Sequence, residues 1–322
     1  MRHVLAFVLI LFSLTACKDI TSETNSYNIA AKKDAIVAIV ATNTAEKKSG
    51  LGTGFFIKEN YIVTNYHVAG DPTFDISVST ETNGKSYPAE VVYSDKATDI
   101  AVIKLKKWDE FIKDNPNVKY LKFADSLPKD TDTVWAIGHP WGLTFSISKG
   151  IVSNEARKTP DPIPTWWIQT DAHVYEGNSG GPLLNDNGDV VGIDSNMIAQ
   201  TGGSYGFAIP MTLVKKVLND LEKYKEVRWP SLGVLLEGPG ATVKDMPGDS
   251  AAKAAGLQVG DVIVAVKYGD AEETPVKNYY DLIELLSGAD YASNIELAVM
   301  RKNKMMRLHV QPKFKSNLDY AK

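Results

Sequence analysis

The sequence predicts a mainly β protein of two domains, a larger one made of two β-barrels followed by a smaller α+β domain. Three observations carry that expectation. Short β-branched and apolar runs, parted by turn pairs such as Glu59-Asn60 and Asn83-Gly84, recur from Ala35 to Ile209, which is the pattern of an all-β domain. A histidine and an aspartate at strand ends precede a serine in the glycine-flanked turn Gly177–Gly181. After Arg228-Trp229-Pro230 the pattern changes to a glycine loop, an alanine-rich helix and further strands. A length of 322 residues is enough for about two domains, each with its own core.

In chain order, Arg2 and His3 open onto the apolar run Val4 to Leu14, too short to span a membrane but the length of a signal-peptide core. It ends in Leu14-Thr15-Ala16-Cys17, which resembles a bacterial lipobox, so residues 1–17 are expected to be a leader with Cys17 lipidated. Several acyl chains on one cysteine anchor a protein stably. Cys17 is the only cysteine, so no intrachain disulfide is possible. Lys18, not aspartate, follows it, which favours the outer membrane. Residues 18–30 are polar and read as a tether.

The first barrel is expected from Ala35–Ala41, Gly54–Ile57, Tyr61–Thr64, Phe74–Ser79, Glu90–Tyr93 and Ile100–Leu105. Lys106 to Asp130 is charged and broken by prolines and reads as a linker. The second barrel is expected from Thr133–Gly138, Phe145–Ser153, Trp166–Gln169, Asp189–Asp194 and Tyr205–Ile209, and the run Pro182-Leu183-Leu184 after the serine is of buried-strand type. Thr159-Pro160-Asp161-Pro162-Ile163-Pro164 reads as a loop, because three prolines remove ladder donors. Met211 to Tyr224 places Leu213, Val214, Val217, Leu218 and Leu221 at helical spacing and closes the first domain. The domains are thus 31–228 and 229–316.

The chemistry lies in His67, Asp99 and Ser179. A serine hydroxyl is a poor nucleophile near neutral pH and needs a base, and the base needs an orienting group. His67 ends a strand-like run, and Asp99 opens another. The order His, Asp, Ser is that of the chymotrypsin-like double β-barrel and differs from those of subtilisin and the α/β-hydrolases. The glycines let the turn aim the N–H groups of Gly177 and Ser179 at one spot as an oxyanion hole. Each residue alone has a plainer reading: a glycine turn, a core histidine, a strand-start aspartate. Three fits in one order favour the nucleophilic site.

These blocks carry a resemblance. Thr64-Asn65-Tyr66-His67-Val68, Thr98-Asp99-Ile100-Ala101-Val102 and Gly177-Asn178-Ser179-Gly180-Gly181 resemble the three catalytic blocks of the HtrA (Deg) serine proteases. Gly52-Thr53-Gly54-Phe55-Phe56-Ile57, Ala136-Ile137-Gly138-His139-Pro140, Gln169-Thr170-Asp171-Ala172 and Gly206-Phe207-Ala208-Ile209-Pro210 are similar to its connecting segments. The resemblance implies a substrate-pocket wall at Asp194, Ser195, Asn196 and Met197, a preference for small aliphatic residues before the scissile bond, and a relay role for Arg157. It also implies a possible homotrimer. His139 and His173 depart from the family and read as packing or surface histidines.

Ser231-Leu232-Gly233-Val234 resembles the carboxylate-binding loop of PDZ domains, and Ser250–Leu257 with Val259-Gly260-Asp261-Val262-Ile263 is also PDZ-like. Helix Tyr280–Leu286 and strand Ile295–Arg301 would complete that α+β fold. An extended C-terminal peptide would add a strand beside Val234–Leu236.

The function expected is a serine endopeptidase of the bacterial envelope, lipid-anchored on the periplasmic side, cleaving unfolded or misfolded proteins under PDZ control. The alternative is a chaperone or scaffold that uses the same folds for binding. No cofactor or metal is expected, since nothing in the sequence has zinc-ligand spacing. A net charge of −4 argues against a nucleic-acid partner.

Overall fold

The structure, a computed structural model, describes residues 28–82, 84–139, 145–158, 166–200, 203–237, 240–287 and 294–316. The proposed leader, Cys17, the tether up to Tyr27 and the proline segment 159–165 lie outside the described residues.

Six strands, β1 (Ile36–Asn43), β2 (Lys48–Lys58), β3 (Tyr61–Thr64), β4 (Asp75–Ser79), β5 (Tyr87–Asp95) and β6 (Ile100–Leu105), close a barrel in the order β1-β2-β3-β6-β5-β4. A second barrel, β10-β11-β12-β9-β8-β7, is built from β7 (Thr133–Gly138), β8 (Ser146–Lys158), β9 (Trp166–Thr170), β10 (Pro182–Leu184), β11 (Val190–Gln200) and β12 (Gly203–Pro210). Alternation along each strand divides the apolar residues between two cores. In β1, Val37, Ile39 and Ala41 fill the first barrel, whereas Ile36 and Ala38 face the seam between the barrels. Ile193 and Ile209 reach the same seam from the second barrel, whose interior holds Val134, Ile168, Leu183 and Ala208. The helix Met211–Tyr224 lays Leu213, Val214, Val217 and Leu221 onto the seam and ends at Lys225 in the left-handed region, φ 64°.

The segment read as a linker holds a helix, Trp108–Asp114. Its charged residues conceal two aromatics three apart, and these share one helical face. Phe111 is fully buried, 5.5 Å from the Phe56 ring and 5.0 Å from Tyr87. Such pairs are worth about 0.5–1.5 kcal/mol each beyond area burial. Ile29, expected in the tether, is likewise fully buried in the seam core.

The passage between domains is a ribbon: β13 (Arg228–Ser231) pairs with β20 (Lys313–Ser316). Trp229 packs in the core of the barrels, so the first domain's packing runs past residue 228. A buried ion pair, Lys216 Nζ to Asp220 Oδ2 at 2.6 Å, ties the closing helix to this ribbon. Lys216 also donates to the Arg228 carbonyl at 2.6 Å, and the Arg228 N–H donates to Asp220 at 3.0 Å.

The second domain is a sheet in the order β14-β15-β16-β18-β19, with β17 (Thr274–Pro275) on β16. Its strands are β14 (Leu235–Glu237), β15 (Ala241–Asp245), β16 (Val262–Tyr268), β18 (Ile295–Arg301) and β19 (Lys304–Val310). Helices Ala251–Ala254 and Tyr279–Ser287 cover it. Arg301 holds the buried Asp261 through two bonds of 2.7 Å, a fork geometry that only arginine supplies.

Candidate active site

His67 and Asp99 come from the first barrel. Strand β3 runs into the short helix Tyr66–Ala69, which presents His67 at its second residue. Asp99 sits on the turn before β6 at φ 57°, a region aspartate tolerates better than most residues. The Asp99 carbonyl accepts the Tyr66 N–H at 3.1 Å and Asn65 Nδ2 at 2.9 Å. Its carboxylate takes the His67 N–H at 3.0 Å on Oδ1 and His67 Nδ1 at 2.8 Å on Oδ2. A carboxylate accepts only, so Nδ1 carries the proton and Nε2 presents its lone pair. The imidazole is half exposed.

A fourth group completes this network. The Ser195 hydroxyl donates to Asp99 Oδ2 at 2.6 Å. Ser195, read from the sequence as part of a substrate-pocket wall, has its side chain on Asp99. No local signal marks this, because a serine in a strand is compatible with either role. The Ser195 carbonyl accepts the Ser179 hydroxyl at 3.2 Å, so one residue touches both ends of the constellation.

Ser179 belongs to the second barrel, and the backbone of its turn can be accounted for bond by bond. The Asn178 N–H donates to the Tyr175 carbonyl at 2.9 Å, Gly180 N–H to Asp194 at 2.7 Å, and Gly181 N–H to Asn178 at 2.8 Å. The Ser179 carbonyl takes the Thr53 N–H at 2.8 Å, and the Gly177 carbonyl takes the Thr53 hydroxyl at 2.6 Å. Of the five amides from Gly177 to Gly181, those of Gly177 and Ser179 have no partner among the described residues. These are the two expected oxyanion donors. Gly180, at φ 86°, cannot be replaced: a Cβ there would lie 2.1 Å from the Thr53 carbonyl oxygen.

Asp194 is fully buried, and neither carboxyl oxygen has a hydrogen-bond partner among the described residues. It pairs in register with Ala208 of β12, which pairs with Ile168 of β9, so its face is the apolar interior of the second barrel. Burial pushes its carboxyl well above the ordinary carboxylate range. Asn196 and Met197 follow on β11; their side chains lie outside the description. Arg157, on β8, donates from Nε to Gln169 Oε1 at 2.8 Å. His139 has its N–H on the Thr53 hydroxyl at 3.0 Å and its ring 5.4 Å from Phe145, a packing position in which burial lowers the imidazole pKa.

In the second domain, Gly233 takes φ 71° and its N–H donates to the Ser231 hydroxyl at 3.3 Å. The Leu232 carbonyl is held by the Ala252 N–H and the Ser250 hydroxyl, both at 3.0 Å. The loop therefore sits against the helix that follows β15, with β14 at the sheet edge and Leu235 exposed beside Val234.

Comparison with known proteins agrees with this layout. Residues 52–193 match the trypsin-like peptidase domain and residues 216–311 match the PDZ domain. The chain is 34% identical over 278 residues to a probable periplasmic serine endoprotease DegP-like of Pseudomonas putida (strain W619), covering 81% of this chain and 55% of that one. A protein of the same description from Chlamydia pneumoniae is 34% identical over 283 residues, covering 82% and 55%. The chain belongs to the HtrA (Deg) family. Its fold matches the HtrA-type protease AlgW solved with a tripeptide, at a TM-score of 0.71 and 25% identity over 90% of this chain and 97% of that one. The serine endoprotease from Yersinia pestis gives 0.62 and 28% over 90% and 98%. The chain spans about half the length of the curated HtrA relatives it matches.

Proposed function

We propose that this chain is a serine endopeptidase cleaving unfolded or misfolded proteins of the bacterial envelope. The observation that carries the reading is the accounting around Ser179: two backbone amides, on either side of Asn178, have no partner among the described residues, and the serine is joined through Ser195 to the Asp99 that holds His67 Nδ1. His67 Nε2 takes the Ser179 proton as the hydroxyl attacks the peptide carbonyl. The Gly177 and Ser179 amides receive the oxyanion, and His67 then protonates the leaving amine. Water deacylates the enzyme by the same route. Asp99 keeps the tautomer and stabilises the imidazolium throughout. In the resting arrangement Ser179 donates to the Ser195 carbonyl, so its hydroxyl turns toward His67 when substrate binds.

A scaffold that only bound peptides would have no use for a carboxylate taking His67 twice and Ser195 once, which sets the chaperone reading second. Asp194, fully buried and facing the interior of the second barrel, offers no exposed charge to a lysine or arginine side chain, in keeping with a preference for small aliphatic residues. The proposal extends to C-terminal peptides at Ser231–Val234, to control through Arg157, to a homotrimer and to periplasmic anchoring through a lipid on Cys17, in the outer membrane. Casein digestion by the purified chain from Lys18 onward, compared with Ser179→Ala, tests the core of it. Wild-type digestion abolished in Ser179→Ala is expected; equal digestion by both ends the enzyme reading.

A further inference from the structure

A hydroxyl from the first barrel lies under the nucleophile turn of the second. Thr53 is fully buried on β2 and, besides its strand pairing, makes four hydrogen bonds, three of them across the seam. Its N–H donates to the Ser179 carbonyl at 2.8 Å, and its carbonyl accepts the Thr64 hydroxyl at 2.7 Å. Its own hydroxyl accepts the His139 N–H at 3.0 Å and donates to the Gly177 carbonyl at 2.6 Å. A hydroxyl has one hydrogen to give. With the His139 amide already pointing at the oxygen, that hydrogen goes to Gly177.

We infer that Thr53 is a positioning residue for the oxyanion hole: by holding the carbonyls of Gly177 and Ser179 it keeps the amides of those two residues turned toward the reacting carbonyl. Gly177 has no Cβ and sits at φ 100°, so its flanking peptide planes rotate at little steric cost. The turn's own bonds fix the amides of Asn178, Gly180 and Gly181. The Gly177 carbonyl is fixed by Thr53 alone among the described residues. Without that hydroxyl the peptide plane between Gly177 and Asn178 is left with the Asn178 N–H bond to Tyr175 as its tie, and rotation about Gly177 lets the amide of the preceding plane lose its aim. Threonine suits the place because its backbone joins the barrel ladder while its side chain reaches across the seam.

This inference rests on the endopeptidase reading. Its test uses the full mature chain with Thr53→Val, Thr53→Ala and Thr53→Ser, rates being normalised to sites titrated with a fluorophosphonate. Deleting a direct oxyanion donor costs about 10²–10³ in kcat, and a lost positioning bond should cost about tenfold. Thr53→Val and Thr53→Ala should show that fall in kcat with KM changed less than about twofold, and Thr53→Ser should restore most of it. Affinity for a peptide boronate, which forms a tetrahedral adduct, should fall in parallel, whereas affinity for the product peptide should hold. A merely structural Thr53 would lower the melting temperature and the titrated fraction without touching kcat per site. If Thr53→Val fails to fold, Thr53→Ala and Thr53→Ser still differ at the hydroxyl alone. Equal kcat per site in those two overturns the inference. Wild type that digests no better than Ser179→Ala would instead overturn the endopeptidase reading beneath it.

Discussion

Replacing Asp99 by asparagine changes one atom's chemistry and leaves its shape. The native carboxylate accepts the His67 N–H and Nδ1 on Oδ1, both at 3.0 Å, and Nδ1 again at 2.8 Å with the Ser195 hydroxyl at 2.6 Å on Oδ2. Asparagine has one acceptor oxygen and a two-proton donor. If its NH₂ faced the His67 N–H, two donors would meet, at a cost of about 1–3 kcal/mol for the unsatisfied amide. The other orientation wins: oxygen on the His67 N–H, NH₂ toward Ser195 and Nδ1. Ser195 can rotate its hydroxyl to accept. The imidazole can accept only by moving its proton to Nε2, and Nε2 then has no lone pair for Ser179. The expected loss is about four orders of magnitude in kcat, the cost known for this substitution in a trypsin-type triad. At 1.36 kcal/mol per tenfold that is about 5.4 kcal/mol of transition-state stabilisation. Asparagine tolerates φ 57° as well as aspartate does, so the melting temperature should stay near that of the parent, which alanine would not guarantee. Peptidase kinetics on a fluorogenic peptide, with melting recorded alongside, make the assay. A variant retaining a tenth of the parent's kcat would refute the assignment of Asp99.

Four further outcomes are expected. Asp194 keeps its proton in the fold at pH values where the unfolded chain has released it, so its contribution to stability is lost as pH rises from the ordinary carboxylate value of about 4. Asp194→Asn, measured in a Ser179→Ala background to prevent self-cleavage, should therefore gain melting temperature over its parent as pH rises, and parallel curves would contradict this. Asp220→Ala takes the counter-charge from the buried Lys216, whose ammonium keeps its bond to the Arg228 carbonyl, and should destabilise by about 3–5 kcal/mol; a denaturation shift under 1 kcal/mol would show that water reaches the site. A hydrophobic C-terminal peptide should raise kcat/KM several-fold, within about 1–3 kcal/mol of coupling, and Arg157→Ala should remove that gain; undiminished stimulation excludes Arg157 as the relay. An alkyne fatty acid should label the chain through Cys17, and Cys17→Ser should abolish both label and membrane recovery; an unlabelled wild type points to a soluble periplasmic form.

How legible the molecule was depended on where each residue's partner lies. The strands were readable because their signal is internal: β6 alternates Ile100, Val102 toward the seam and Ile103, Leu105 away from it within six residues. His67, Asp99 and Ser179 were readable for a different reason, since acyl transfer needs those residue types in an order that only a few folds supply. The helix Trp108–Asp114 was hidden because charged neighbours outweigh Trp108 and Phe111 in composition, although those two aromatics pack it against the barrel core. Trp229 was assigned by its position after a change of pattern, whereas it is buried in the seam core with Lys216 of the preceding helix over its ring. The hydroxyls were the least legible. Ser195 meets Asp99 across 96 positions and Thr53 meets Gly177 across 124, and a hydroxyl in a strand satisfies β-propensity whether or not it has such a partner. Nucleophile, base and orienting acid announce themselves by type. The groups that hold them in place are set by closure of two barrels against each other, and only the closed structure names them.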